Sequence, residues 1–188
     1  YRVINQIYAD YIEVFIEIDK LQRQSKEPIL IAIDGMSGSG KSLLGSLISN
    51  IYNCNLFHMD DFFLRPEQRT KERQKEIGGN VDYERFNSEI LSPLKNNQEV
   101  EYQIYDCVKQ RLEESCKVSQ KPINIIEGSY SHHPYFGDSY DLKIFLKIDK
   151  KTQKQRILNR NGAEMLKRFE EEWIPKENSY FSKFKILE

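Results

Sequence analysis

Short apolar runs alternate along the chain with longer stretches whose apolar residues recur every three or four positions. Ile29-Leu30-Ile31-Ala32-Ile33, entered from Pro28 and ended by Asp34, is unbroken, as a strand covered on both faces requires. Asn55-Leu56-Phe57-His58-Met59, Ile123-Asn124-Ile125-Ile126 and the run Leu142 to Ile148 predict three more strands. Residues 41–52 place Leu43, Leu44, Leu47, Ile48 and Ile51 at helical spacing, and residues 83–94 do the same with Phe86, Ile90, Leu91 and Leu94. A helical pattern over 152–173 is interrupted near Asn161-Gly162, and Pro175 opens a new segment. Residues 99–119 predict a hairpin, and Phe184-Lys185-Ile186-Leu187 the start of a last strand. Ahead of all this, within 1–27, Ile4, Ile7, Tyr8, Tyr11, Ile12, Phe15 and Ile18 describe an amphipathic helix of about five turns, to pack on the domain or on a second copy. Strand and helix alternation over 188 residues predicts one doubly wound α/β domain with a mainly parallel sheet.

Charge narrows the partners. The 28 basic and 29 acidic residues are interspersed, which leaves no net basic field for nucleic acid. Residues 65–76 are charged without apolar periodicity and read as a solvated, mobile loop closed by Gly78-Gly79. Cys54, Cys107 and Cys116 have no C-x-x-C spacing, so reduced thiols in a cytoplasmic protein are expected. No apolar run approaches the length of a membrane span and no signal peptide is seen, while the opening on Tyr1 rather than Met leaves room for residues upstream.

The chemistry starts between the first strand and its helix. Gly35-Met36-Ser37-Gly38-Ser39-Gly40-Lys41-Ser42 is a G-x-x-x-x-G-K-S phosphate loop. Main-chain N–H groups of Gly35, Ser37, Gly38, Ser39, Gly40 and Leu43 suit phosphate oxygens, Lys41 reaches the β and γ phosphates, and the Ser42 hydroxyl ligates Mg²⁺. The positive end of the following helix adds to the pull. ATP is the expected donor, with GTP as the alternative; no N/T-K-x-D string for guanine occurs.

Transfer to an alcohol needs an aligned hydroxyl, a destination for its proton and neutralised phosphate charge. Asp60, in the Asp60-Asp61 pair after the second strand, is the candidate base and metal neighbour, or else a helix cap. Glu127 ends the third strand, beside the metal or the acceptor, or as an exposed strand-end acid. Arg156 and Arg160 share a helix face within 150–172, either a lid over the phosphates or a solvated face. His58 reads as a core histidine; His132-His133 reads as substrate contact or a loop pair.

Together these strings resemble one family. Asp34-Gly35 with the phosphate loop, His58-Met59-Asp60-Asp61-Phe62-Phe63, Asn80-Val81-Asp82-Tyr83-Glu84-Arg85-Phe86, Tyr105-Asp106-Cys107, Glu127-Gly128-Ser129-Tyr130 and Arg156 to Asn161 follow the order seen in the uridine kinase and phosphoribulokinase group of P-loop kinases. The resemblance implies a three-layer α/β/α fold with sheet order 2-3-1-4-5, and an ATP- and Mg²⁺-dependent kinase of a nucleoside or ribose-like alcohol. It also implies that Asp60 is the base, that Asp82 holds acceptor hydroxyls, that Glu127 lies near Mg²⁺ and that Arg156 and Arg160 are lid arginines. Phe63 stands where the family has tyrosine, and the base-reading string Y-D-F-x-x-H becomes Tyr105-Asp106-Cys107-Val108-Lys109-Gln110. A stacking aromatic and a hydrogen-bonding histidine are thus replaced by Cys107 and Gln110, which should change specificity. Pantothenate or a phosphorylated sugar is the alternative acceptor, and a nucleotide-sensing ATPase module the alternative class.

Overall fold

The computed structural model describes residues 5–187. Its sheet has four parallel strands, β1 (Ile29–Gly35), β2 (Cys54–His58), β5 (Ile123–Glu127) and β6 (Leu142–Leu146), in the order β2-β5-β1-β6. With the separate hairpin β3 (Val100–Asp106) and β4 (Arg111–Val118) set aside, this is the first four strands of the expected 2-3-1-4-5 order, and the fifth strand does not form among the described residues. The four helices of ten residues or more are α1 (Ile12–Gln24), α2 (Lys41–Ile51), α3 (Lys150–Arg168) and α4 (Ile174–Lys183).

Alternation along the central strands sends side chains into two cores. Ile29, Ile31 and Ile33 of β1 and Ile123 and Ile125 of β5 meet Phe15 and Ile18 of α1 and Leu44, Leu47 and Ile48 of α2. Leu30 and Ile126 point the other way, into a cluster with Phe57, Phe62, Phe86, Ile90, Leu91, Leu94, Tyr102, Tyr180 and Phe181. Because both faces are covered, the central strand β1 is apolar without a break from Ile29 to Ile33, which is why its pattern is continuous rather than alternating. Helices on both sides make the three-layer α/β/α arrangement of a P-loop fold.

Several expectations change. The N-terminal helix is broken: Gln6–Ala9 forms a single turn and α1 begins at Ile12, with Ile4 outside the described residues. Phe15 and Ile18 are buried, but Ile12 stays 53% exposed, because the stripe that meets the sheet is narrower than the pattern suggested. Leu43 and Ile51 likewise face outward, Leu44, Leu47 and Ile48 being enough to seat α2. Residues 65–76 are built rather than loose, with a turn at Pro66–Gln68 and a short helix Lys71–Lys75 capped by Thr70. No last strand forms among the described residues. The N–H groups of Phe184 and Ile186 are spent on Tyr180 and Phe181 carbonyls, so they cannot join a ladder. Among the described residues no helix is long and apolar enough to cross a membrane, and the three cysteines are unpaired.

Candidate active site

The register of the parallel strands assembles the site. His58 of β2 lies opposite Glu127 of β5, which lies opposite Ile33 of β1, so the three strand ends finish together. Ligands in open α/β sheets bind at that edge. The chain then leaves β1 as the phosphate loop, β2 as the turn Met59–Phe62 and β5 as Gly128-Ser129. Gly128 has φ 138°, and a Cβ there would come within 2.7 Å of Met59 Cβ. Glycine therefore lets the turn bearing Asp60 close against the end of β5.

Gly38 and Gly40 hold φ values of 74° and 108°, the left-handed conformations that curl the loop, and Gly40 leads directly into α2. First-turn amides of a helix lack intrahelical acceptors, so those of α2 are presented to an anion. Lys41 Nζ bridges the loop's own carbonyls, at 2.8 Å from Gly35 O and 3.3 Å from Met36 O. Ser39 Oγ is buried with no hydrogen-bond partner. A curled loop, a helix N-terminus, a lysine within it and an unsatisfied buried hydroxyl fit a polyphosphate. Ser42 Oγ lies 3.3 Å from Glu127 Oε2. No group of three or more His, Cys, Asp or Glu side chains forms a metal cage among the described residues. A hydroxyl beside a carboxylate suits Mg²⁺, which relies on few protein oxygens and takes the rest from phosphates and water.

Across the edge, Glu127 is buried and its other oxygen is 2.5 Å from His58 Nδ1. That hydrogen bond raises the His58 pKa, outweighing burial, which opposes it. Asp60 is solvent-exposed, yet its carboxyl is pushed above the ordinary range, first by desolvation where the surrounding protein crowds it and then by the Glu127 charge. The charges of Lys41, His58 and Arg160 act in the opposite sense. Asp61 is also raised, chiefly by burial.

The acceptor side is a wall of interlocked polar groups. Arg85, buried under Phe62 with its guanidinium carbon 4.2 Å from the ring centre, donates to Asp61 O at 2.8 Å and Gln103 O at 2.6 Å. It thereby ties the Asp60 turn to the hairpin. Arg69 donates to Leu64 O and to the Tyr105 hydroxyl, at 3.1 and 2.8 Å. Arg73 pairs with Glu84 at 2.7 Å, and Arg65 with Glu67 at 3.5 Å. Among the described residues Arg69 has no carboxylate partner, unlike Arg65, Arg73 and Arg85. Cys107 sits at the hairpin turn, its thiol pKa raised by burial and then by Asp60, with Arg69 acting in the opposite sense.

Sequence comparison agrees with this geometry. The chain is 32% identical over 133 residues to the "Uridine kinase" of Clostridium botulinum strain Okra, covering 66% of this chain and 64% of that protein. It is 28% identical over 161 residues to the one from Ureaplasma parvum, covering 78% and 75%, and 27% identical over 148 residues to that of Latilactobacillus sakei, covering 73% and 69%. These likenesses support the suspected uridine kinase-like group of P-loop kinases. Solved structures share the fold of this P-loop kinase at 21% identity. A "putative fructose transport system kinase" from Silicibacter superposes with TM-score 0.70, covering 88% of this chain and 90% of that one. A "Possible Uridine Kinase" from Bacillus stearothermophilus gives 0.57, covering 85% and 94%. No family model matches the chain.

Within the kinase, Ser42 and His58 are both hydrogen-bonded to Glu127, with Lys41 next to Ser42 and Asp60 two residues beyond His58 in the chain. Arg156 is anchored rather than free: its Nη1 donates to Gly38 O at 3.1 Å and Ser39 O at 3.3 Å, bracing the phosphate loop from outside. Two readings need correction. Ser37 does not offer its N–H to a phosphate, because both its N–H and hydroxyl are taken by Glu177 of α4, at 3.0 and 2.7 Å. Asp82 is 2% exposed and engaged on both oxygens, capping Arg85 N–H at 3.1 Å and accepting from Gln68 Nε2 at 2.8 Å, so it organises the wall instead of meeting acceptor hydroxyls. Phe63 is half-buried and bridges Val81. Gln110 lies exposed at the hairpin turn with φ 54°.

His58 is no core histidine: its side chain is 42% exposed and bound to Glu127. Its position at the C-terminal end of a strand was the available signal. His132 is buried, with its N–H on Asp34 Oδ2, whereas His133 stacks between Tyr83 and Tyr180 with centroids 5.0 and 6.1 Å away. Neither lies in the Asp60 cluster. Nothing local to Glu177 announces its partner 140 residues earlier.

Proposed function

We propose that this P-loop kinase transfers the γ-phosphate of ATP to a hydroxyl of a nucleoside or related ribose-like alcohol, with Asp60 as the base. The observation that carries the reading is the strand edge where Glu127 is hydrogen-bonded to Ser42 of the phosphate loop on one side and to His58, two residues before Asp60, on the other. An acceptor hydroxyl bound beside Asp60 would meet a phosphate held by the loop at the same strand edge. The carboxylate takes the hydroxyl proton as the new O–P bond forms and the bond to ADP breaks. A raised Asp60 pKa makes it a better base than an ordinary carboxylate, with the Lys41 charge acting in the opposite sense. Lys41 and Arg160 face the charge that spreads over the transferring group. Mg²⁺, held by Ser42 and Glu127, would supply further charge neutralisation at the phosphates. His58 holds Glu127 in place for that task.

One observation favours a different acceptor within the same chemistry. Arg69 is oriented by two neutral oxygens and left with its charge uncompensated, and Cys107 takes the place of a stacking aromatic. Both features suit an acceptor that carries an anionic group, such as a phosphorylated sugar or pantothenate, better than a bare pyrimidine nucleoside. The test is ATP consumption with pooled nucleosides, sugars, sugar phosphates and vitamins, using ATP and GTP as donors. Stimulation by one pool names the acceptor class. Slow hydrolysis that no acceptor stimulates would replace the kinase reading with a nucleotide sensor.

A further inference from the structure

The kinase reading gives α4 no task, yet that helix is wired into both halves of the site. Glu177 is 4% exposed and its carboxylate accepts three hydrogen bonds: Ser37 N–H at 3.0 Å, Ser37 Oγ at 2.7 Å and Ser129 Oγ at 2.8 Å. Ser37 lies in the phosphate loop after β1, and Ser129 two residues beyond Glu127 at the end of β5. A second carboxylate crosses the same gap in the opposite direction. Asp34, fully buried at the end of β1, accepts from the Tyr180 hydroxyl of α4 at 2.8 Å and from His132 N–H in the loop after β5 at 3.1 Å. The remaining polar group of Ser37, its carbonyl, accepts from Gln153 of α3 at 2.9 Å. Every hydrogen-bonding group of Ser37 is thus committed to a helix more than a hundred residues away.

We propose that Glu177 is a positioning residue of the reaction: from α4 it fixes the phosphate loop and the loop after Glu127 relative to one another, setting the separation of donor phosphate and acceptor. A carboxylate suits this because it accepts several hydrogen bonds at once and has no donor to misdirect. Burial makes each bond costly to lose, since a main-chain N–H left without an acceptor has no water to turn to. A tether built only to hold α4 down would need one anchor on the domain; this one joins the loop after β1 to the loop after β5. The inference rests on the kinase reading, but its effect on nucleotide affinity can be measured without turnover.

The experiment uses the full chain with Glu177→Gln and Ser129→Ala, each compared with wild type by melting temperature, by calorimetric titration with MgATP, and by steady-state kinetics with whichever acceptor proves active. Glu177→Gln keeps the volume but puts an amide donor where an acceptor is required, and it should weaken MgATP binding about 10-fold and lower kcat about as much. Ser129→Ala leaves Ser37 tied and frees only the loop after β5, so it should lower kcat several-fold with MgATP affinity unchanged. If both variants bind MgATP and turn over within two-fold of wild type, or lose only melting temperature, Glu177 is a helix anchor and the proposal fails. Should Glu177→Gln not fold, the split in Ser129→Ala between kcat and MgATP affinity decides the matter. An inactive wild type would remove the kinase reading, and a 10-fold loss of MgATP affinity in Glu177→Gln would still establish the hold on the phosphate loop.

Discussion

The donor and acceptor sides of the site are built by different means. The donor side is nearly all backbone and contiguous sequence: eight residues, two left-handed glycines and the first turn of α2. The acceptor side is all side chain, drawn from the turn at Met59–Phe62, the segment 65–76, the helix beginning at Tyr83 and the hairpin. A backbone cradle recognises what every nucleoside triphosphate shares, and few substitutions can alter it without destroying it. A side-chain wall changes with single residues, as Cys107 shows. The contrast explains how one phosphate-transfer device serves many acceptors.

The comparison can be broken most directly by removing one charge from each side. Asp60→Asn should lower kcat about 10²- to 10⁴-fold while calorimetry finds MgATP affinity near wild type. Lys41→Ala should instead damage both, with kcat down about 10²- to 10³-fold and weaker nucleotide binding. Equal loss of affinity in the two variants would dissolve the division into halves. A smaller effect is expected at the wall. Arg69→Ala should raise the KM of an anionic acceptor about 10-fold and leave that of MgATP alone, and an unchanged acceptor KM would remove Arg69 from recognition. The smallest is a displacement in pH. Asp60 acts as base only when ionised, and its pKa is raised above 3.8, so turnover should fall as pH drops through that raised value. Glu127→Gln removes a negative neighbour that raises it, so the Asp60 titration, followed by carboxyl NMR in the Mg²⁺-free protein, should move to lower pH.

The fold was largely legible because its signals are local. The continuous apolar strand β1, the 83–94 helical stripe and the interruption at Asn161-Gly162 all reappear, the last as Gly162 at φ 81° inside α3. The donor side was legible for the same reason. The acceptor side was not, because its meaning lies in pairings distant in sequence. Asp82 looked free until Gln68 and Arg85 were seen to engage it, and the charged run 65–76 looked mobile although Arg73 and Glu84 close it against the next helix. His58 was misjudged because a strand position tells which way a residue faces but not that a glutamate from another strand stands opposite. Glu177 is the extreme case, a residue whose role exists only in three dimensions.

The break at Gly162 sets the mechanics of α3. Gln153 and Arg156 lie before it and are hydrogen-bonded to the phosphate loop, and Ile157 reaches across the break to pack with Leu166 and Phe169 in a small cluster separate from both main cores. The helix is a beam clamped at the load with its bend farther out. The Ile157 contact with Leu166 and Phe169 and the Lys154–Glu170 ion pair at 3.0 Å tie the outer arm back to the inner one, so the bend transmits load instead of isolating the arginine braced at the loop.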